Sequence, residues 1–129
     1  MSERAVVLDA SALLALLGQE TGAEEVSEAL PHAVVGAVNL SEVVGKLAER
    51  GMPEAAIRSA LDGLALAVHP FDAELAYATG MLRATTASLG LSLGDRACLA
   101  LGRMLSLPIL TADRSWKKLA IGVKIQVIR

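Results

Sequence analysis

Short β-branched apolar runs alternate along this chain with segments of helical length, and that alternation limits its possible folds more than any other feature. The runs are residues 4–8 (RAVVL), 33–38 (AVVGAV), 67–71 (AVHPF), 108–110 (PIL) and 123–128 (VKIQVI), each suited to a short buried strand. The helices read between them are residues 12–17, closed by Gly18, and 22–30, stopped by Pro31. Then come 39–50, with Asn39 as N-cap and Gly51 past its end, and 53 to about 64. Asp72 opens a long helix to Ser88, ended by Gly90; Ser92 opens another to about Leu105, and a short one holds Trp116. Strands separated by about ten or more residues pair in parallel through crossovers. The expected fold is therefore α/β, a three-layer sandwich with a central, mainly parallel sheet flanked by helices. No repeat or Gly/Ser/Pro-rich linker divides the 129 residues, so a single domain covering 1–129 is expected.

The composition narrows the function. With 53% hydrophobic residues the chain is not a disordered one, and with 20% charged residues it lacks the stretch of about 18 apolar residues that a membrane span needs. Phe71, Tyr77 and Trp116 are the only aromatics, too few for a base-stacking platform. Cys98 is the lone cysteine and Asp9 interrupts the N-terminal apolar run early. No disulfide framework or signal segment is expected, and the cytoplasm is the expected compartment. His32 and His69 have no His or Cys partner at ligand spacing, which leaves zinc unsupported. Net charge is −2, unevenly spread: five basic residues oppose 13 acidic ones through Asp95, whereas seven basic residues oppose only Asp113 from Arg96 onward. That C-terminal third is either a solvated face or a patch for phosphates or an acidic partner.

Four acids stand where a strand or its loop hands over to a helix: Asp9, Glu42, Asp95 and Asp113. Ligands of an open parallel sheet bind outside the carboxyl ends of its strands, so Asp9, Glu42 and Asp113 are expected along one edge, with Asp95 joining them if its helix starts there. Clustered carboxylates need protons or a cation near neutral pH, and an all-oxygen set suits Mg²⁺ or Mn²⁺. Each acid also has a structural reading. Asn39-Leu-Ser-Glu42 and Ser92-Leu-Gly-Asp95 are both spaced as capping boxes, and Asp9 and Asp113 as N-caps.

VVLDASALLALL (6–17), NLSEVVGKL (39–47), LGLSLGDRACLALG (89–102) and LPILTADRSW (107–116), with AVHPFDAELAYATGMLRA (67–84) before the third acid, resemble the motifs of the PIN domain family. The likeness is to its small VapC-type toxin ribonucleases and runs over residues 6–128. It implies that Asp9, Glu42, Asp95 and Asp113 are the family's four acidic residues, with Ser11 and Thr111 as hydroxyl neighbours. It further implies a Mg²⁺-dependent endoribonuclease, in which a cation on Asp9 and Asp95, completed by Asp113 and Glu42, activates water against an RNA phosphodiester. Arg96, Arg114, Lys117 and Lys118 are the candidate RNA contacts, Arg96 being equally readable as a surface arginine. Trp116 stands where the family often has Phe.

Two other readings stay open: a receiver-type signalling domain with an acidic Mg²⁺ pocket, and a catalytically silent PIN-like binding module. A mean hydropathy of +0.51 suggests more apolar surface than one small domain buries, hence a homodimer. The resemblance implies a VapB-type antitoxin seated in an apolar groove, for which helices 22–30 and 53–64 are the expected walls.

Overall fold

In the computed structural model, which describes residues 5–129, five short strands pair in parallel in the order β3-β2-β1-β4-β5. They are β1 (Val6–Leu8), β2 (Ala33–Gly36), β3 (Ala67–His69), β4 (Ile109–Thr111) and β5 (Ile125–Val127). The α-helices are α1 (Ala10–Leu17), α2 (Ala23–Ala29), α3 (Ala37–Glu49), α4 (Glu54–Asp62), α5 (Ala73–Thr86) and α6 (Leu93–Leu105). A 3₁₀ turn at Arg114–Lys118 precedes β5. Arg4, expected to open the first strand, lies outside the described residues.

The pleat divides the interior into two cores. Val6, Leu8, Val35 and Leu110 face one side, where Leu13 of α1, Val26 of α2, Val43 of α3 and Ile57 of α4 pack. Val7 and Ile109 face the other, against Leu75 and Leu82 of α5, Leu99 and Leu101 of α6, and Trp116. Alternating side chains of each strand thus feed opposite layers, which is why these strands read as continuous apolar runs. On α5 the buried residues Leu75, Thr79, Leu82 and Thr86 recur every three or four positions and form one face.

Several helix starts match their sequence signals. The Asp72 carboxylate accepts from the Leu75 amide, and Ser92 with Asp95 forms a reciprocal capping box on α6. One start does not. The run AVVGAV stops being strand at Gly36, and α3 begins at Ala37 with Gly36 as its cap, so Asn39 is no N-cap but a buried residue of the helix's first turn. An apolar run feeding directly into a helix carries no mark of where the period changes. At the far end Gly22 adopts φ +96°, and a Cβ there would meet the Ile128 carbonyl oxygen at 2.6 Å, so the returning C-terminal segment seats against a residue that must be glycine.

Chain direction reverses its walk across the sheet at β1. The chain moves outward to β2 and β3, then crosses over to β4 and β5 on the other side. The crevice between the carboxyl ends of β1 and β4 is therefore the topological switch point. A receiver-type domain has strand order 2-1-3-4-5, so the observed order excludes that reading.

Candidate active site

Asp9 follows β1 at the switch point and is 5% exposed. Its Oδ1 accepts from the Ala12 amide at 2.8 Å and the Ser11 hydroxyl at 2.7 Å, and its Oδ2 accepts from the Thr111 hydroxyl at 2.6 Å. It thus caps α1 as its spacing foretold, while Thr111 at the end of β4 fastens it across the crevice. The amides of Ala112 and Asp113 donate to the Ser11 and Thr111 hydroxyl oxygens at 2.9 and 3.0 Å. Each hydroxyl is thereby oriented by backbone on one side and aims its proton at Asp9 on the other. Burial pushes the Asp9 carboxyl above its usual range; these hydrogen bonds pull it back in part, and the charge of Asp95 adds to the rise.

Glu42 lies half-buried one turn into α3, where its Oε1 accepts from the Asn39 amide at 2.8 Å. Its carboxyl is also pushed up by burial, pulled back by Asn39 and raised again by Asp95. Asp95 stands in the first turn of α6, with Oδ2 accepting from the Ser92 amide at 3.0 Å. The capping reading is therefore correct for Asp95. It does not compete with a role in the crevice, because Oδ1 takes no hydrogen bond among the described residues. Asp9, Glu42 and Asp95 all bear on the buried Cys98 thiol one turn along α6, which burial and then these three charges hold well above its ordinary range. Cys98 is an inert, fully buried core residue.

Asp113 is placed differently. Its exposed carboxylate caps the 3₁₀ turn, accepting from the Ser115 amide at 2.9 Å and hydroxyl at 2.6 Å. The charge of Asp95 thus acts on both Asp9 and Glu42, whereas Asp113 stands exposed on the turn after β4. Among the described residues no three acid, His or Cys groups already converge at ligand spacing. The donor chemistry nonetheless fits a hard cation. Every donor is oxygen, the Asp9 and Glu42 carboxyls are raised by burial and by the charge of Asp95, and among the described residues Glu42 Oε2 and Asp95 Oδ1 take no hydrogen bond.

Of the expected cationic neighbours, Arg96 is half-buried directly after Asp95, whereas Lys117 and Lys118 are exposed on the turn beyond Asp113. Arg114, also exposed, donates to the Arg129 carbonyl at 3.2 Å. Asn39 is the site residue that sequence reasoning assigned elsewhere; its i,i+3 spacing to Glu42 marked a pair, but the frame of the helix start decided the geometry.

The PIN domain family matches this sequence over residues 6–122. The chain belongs to the PIN domain family. No curated protein sequence matches it. Among solved structures, this PIN domain is similar in fold to a chain of the DNA-bound VapBC complex of Salmonella typhimurium, with a TM-score of 0.76 and 18% identity over 98% of this chain and 100% of that one. A chain from a toxin–antitoxin complex of Klebsiella pneumoniae gives a TM-score of 0.70 at 20% identity over 94% and 100%. One from a VapBC complex of Mycobacterium tuberculosis gives 0.62 at 22% over 98% and 99%.

An apolar groove of about 720 Å³ runs between α3, α4 and the β3 edge, lined by Leu40, Val44, Met52, Ile57, Leu61 and Val68 among others. Helix α4 is the wall expected for it. Helix α2 is not, because its apolar side chain Val26 is fully buried in the core beside α1. Among the described residues no helix is long and apolar enough to cross a membrane.

Proposed function

We propose that this PIN domain is a metal-dependent endoribonuclease, the toxin of a VapBC-type pair. The observation that carries the reading is the buried Asp9 carboxyl at the sheet's switch point, raised, like that of Glu42, by burial and by the charge of Asp95. Asp9 and Asp95 would hold Mg²⁺ or Mn²⁺, with Glu42 and Asp113 completing the set. The cation would supply an activated water and neutralise charge developing on the phosphate. Thr111 and Ser11 keep Asp9 oriented and ionised by donating to it. Arg96, Arg114, Lys117 and Lys118 offset the repulsion between an acidic crevice and a polyanion.

The groove between α3 and α4 supports the second half of the reading. A helix of a VapB-type antitoxin would lay an apolar face there, as the VapBC complexes among the structural neighbours suggest. We also infer a homodimer through α5, whose Tyr77 and Met81 stand one turn apart and are 76% and 72% exposed. A toxin held by a diffusible partner and acting on RNA belongs in the cytoplasm.

Incubation of the purified chain with labelled RNA, with Mg²⁺ or Mn²⁺ and with EDTA, tests the activity. Cleavage that EDTA abolishes and that single-stranded DNA does not undergo is expected. Mn²⁺ binding without cleavage of any RNA offered would instead make the protein a silent PIN-like binding module.

A further inference from the structure

The acid at position 42 is held by two residues that are not acids. Asn39 is 2% exposed in the first turn of α3, one turn before Glu42 on the same face. Its side-chain amide donates to Glu42 Oε1 at 2.8 Å and to the Gly94 carbonyl at 3.0 Å. Both partners are acceptors only, so the NH₂ group has to point at them and the amide has one permitted orientation. That orientation leaves Oδ1 buried with no partner among the described residues, resting over Gly36, where a Cβ would lie 3.2 Å from it. A buried carbonyl stripped of water and given nothing in exchange works against stability. The fold accepts that cost in order to aim two donors at Glu42 and at α6.

Gly94 completes the arrangement from the other side. It is buried in the first turn of α6, immediately before Asp95, and a Cβ there would clash with the Glu42 carboxylate. The second acid therefore rests directly on the backbone that carries the third. Among the described residues only the Asn39 amide donates to Glu42, and without it repulsion by Asp95 would swing the carboxylate away.

We propose that Asn39 is a positioning residue and Gly94 its seat, together fixing the Glu42 carboxylate against the first turn of α6 and so setting the spacing of the second and third acids for a divalent cation. This inference rests on the metal-dependent reading above. It differs from a mere tie between α3 and α6 in acting through Glu42, and the test exploits that difference.

Mn²⁺ affinity is measured on the full chain by calorimetry or electron paramagnetic resonance for wild type, Asn39→Ala, Glu42→Gln and the double variant. Loss of a partner that orients a ligand weakens metal binding by about tenfold or more, and Asn39→Ala is expected to show this, with kcat on RNA lowered and KM little changed. In the Glu42→Gln background the same substitution is expected to cost nothing further. Additive losses, or unchanged affinity in a folded Asn39→Ala chain, overturn the positioning role. Asn39→Ser, too short to reach both partners, gives the same reading if the alanine variant does not fold. The seat is tested without metal: Gly94→Ala is expected to lower Tm in the wild-type background and to be tolerated beside Glu42→Ala, which vacates the space. Equal losses in both backgrounds overturn it. A wild-type chain that binds no Mn²⁺ overturns the nuclease reading together with this one, whereas wild-type binding that neither variant alters overturns this one alone.

Discussion

The Thr111 hydroxyl donates to the Asp9 carboxylate at 2.6 Å across 102 residues of chain. The bond joins the carboxyl ends of β4 and β1, and both groups are buried. Thr111→Val preserves shape but removes the donor, leaving a buried charge short of one partner and the Asp113 amide without its acceptor. We expect a loss of about 1–3 kcal/mol at neutral pH, while Thr111→Ser, which keeps the hydroxyl, loses clearly less. Urea unfolding checks this through a shifted midpoint at constant slope. Equal stability of the valine and serine variants would mean that the hydroxyl contributes nothing.

Asp9→Asn and Asp95→Asn should separate in stability while agreeing in activity. Both remove a proposed cation ligand, so each is expected to lower Mg²⁺-dependent cleavage by about 100-fold or more, the scale of losing one preorganised electrostatic group. Without metal, Asp9→Asn is expected to raise Tm, because burial makes the charged form of Asp9 costlier in the fold than in the unfolded chain. Asp95→Asn instead gives up a negative charge in the first turn of α6, worth roughly 0.3–1 kcal/mol at a helix N-terminus. At the same time it relieves the charge that raises Asp9 and Glu42, so the two effects oppose each other and Tm should move less than for Asp9→Asn. Near-wild-type cleavage by either variant contradicts the ligand assignment.

The raised carboxyls of Asp9 and Glu42 also set a direction for pH. In the fold both bind their proton more tightly than in the unfolded chain, whose carboxyls titrate near about pH 4. Stability of the metal-free chain therefore falls as pH rises from that value through the raised native ones, and the penalty persists in full above them. Melting in EDTA is expected to show a higher Tm at mildly acidic pH than at neutrality. Mn²⁺, which competes with protons for the same oxygens, should flatten or reverse the slope. A Tm in EDTA that rises over this interval contradicts the shifts.

The parallel sheet, its helices and three of the four caps were legible because each depends on neighbours in sequence: an apolar run, a Ser or Asp, a glycine. Asp95 was readable both as a cap and as a site acid, and it is placed to be both. The role of Asn39 is not legible locally, because it depends on the frame in which α3 begins, and AVVGAV gives no sign of the change at Gly36. The contact of Gly94 with Glu42 links positions 52 residues apart, and no local pattern reports it. The groove was half legible: the amphipathic pattern marked both α2 and α4, and only packing shows that α2 spends its apolar side on the core.

Trp116 is 1% exposed in the core beneath the sheet, and its indole nitrogen has no hydrogen-bond partner among the described residues. Trp116→Phe keeps an aromatic plug and removes the orphaned donor, so the lost volume and the relieved N–H oppose each other. A change within about 1 kcal/mol is expected, against roughly 3–5 kcal/mol for Trp116→Ala. Thermal unfolding of the two variants checks the contrast, and a phenylalanine variant as unstable as the alanine one would show that volume alone governs the position.

The outer face of α5 gives the last prediction. Tyr77 and Met81 share that face, opposite the buried stripe of Leu75, Thr79, Leu82 and Thr86. In a twofold assembly each substitution appears twice across the interface, so Tyr77→Glu combined with Met81→Glu would set four carboxylates against one another. The double variant is expected to be monomeric at micromolar concentration by light scattering, with its Tm little changed because neither side chain belongs to the core. RNA cleavage measured alongside would then tell whether one copy of the acid crevice suffices. A wild-type chain that is itself monomeric under the same conditions contradicts the homodimer and leaves the crevice reading intact.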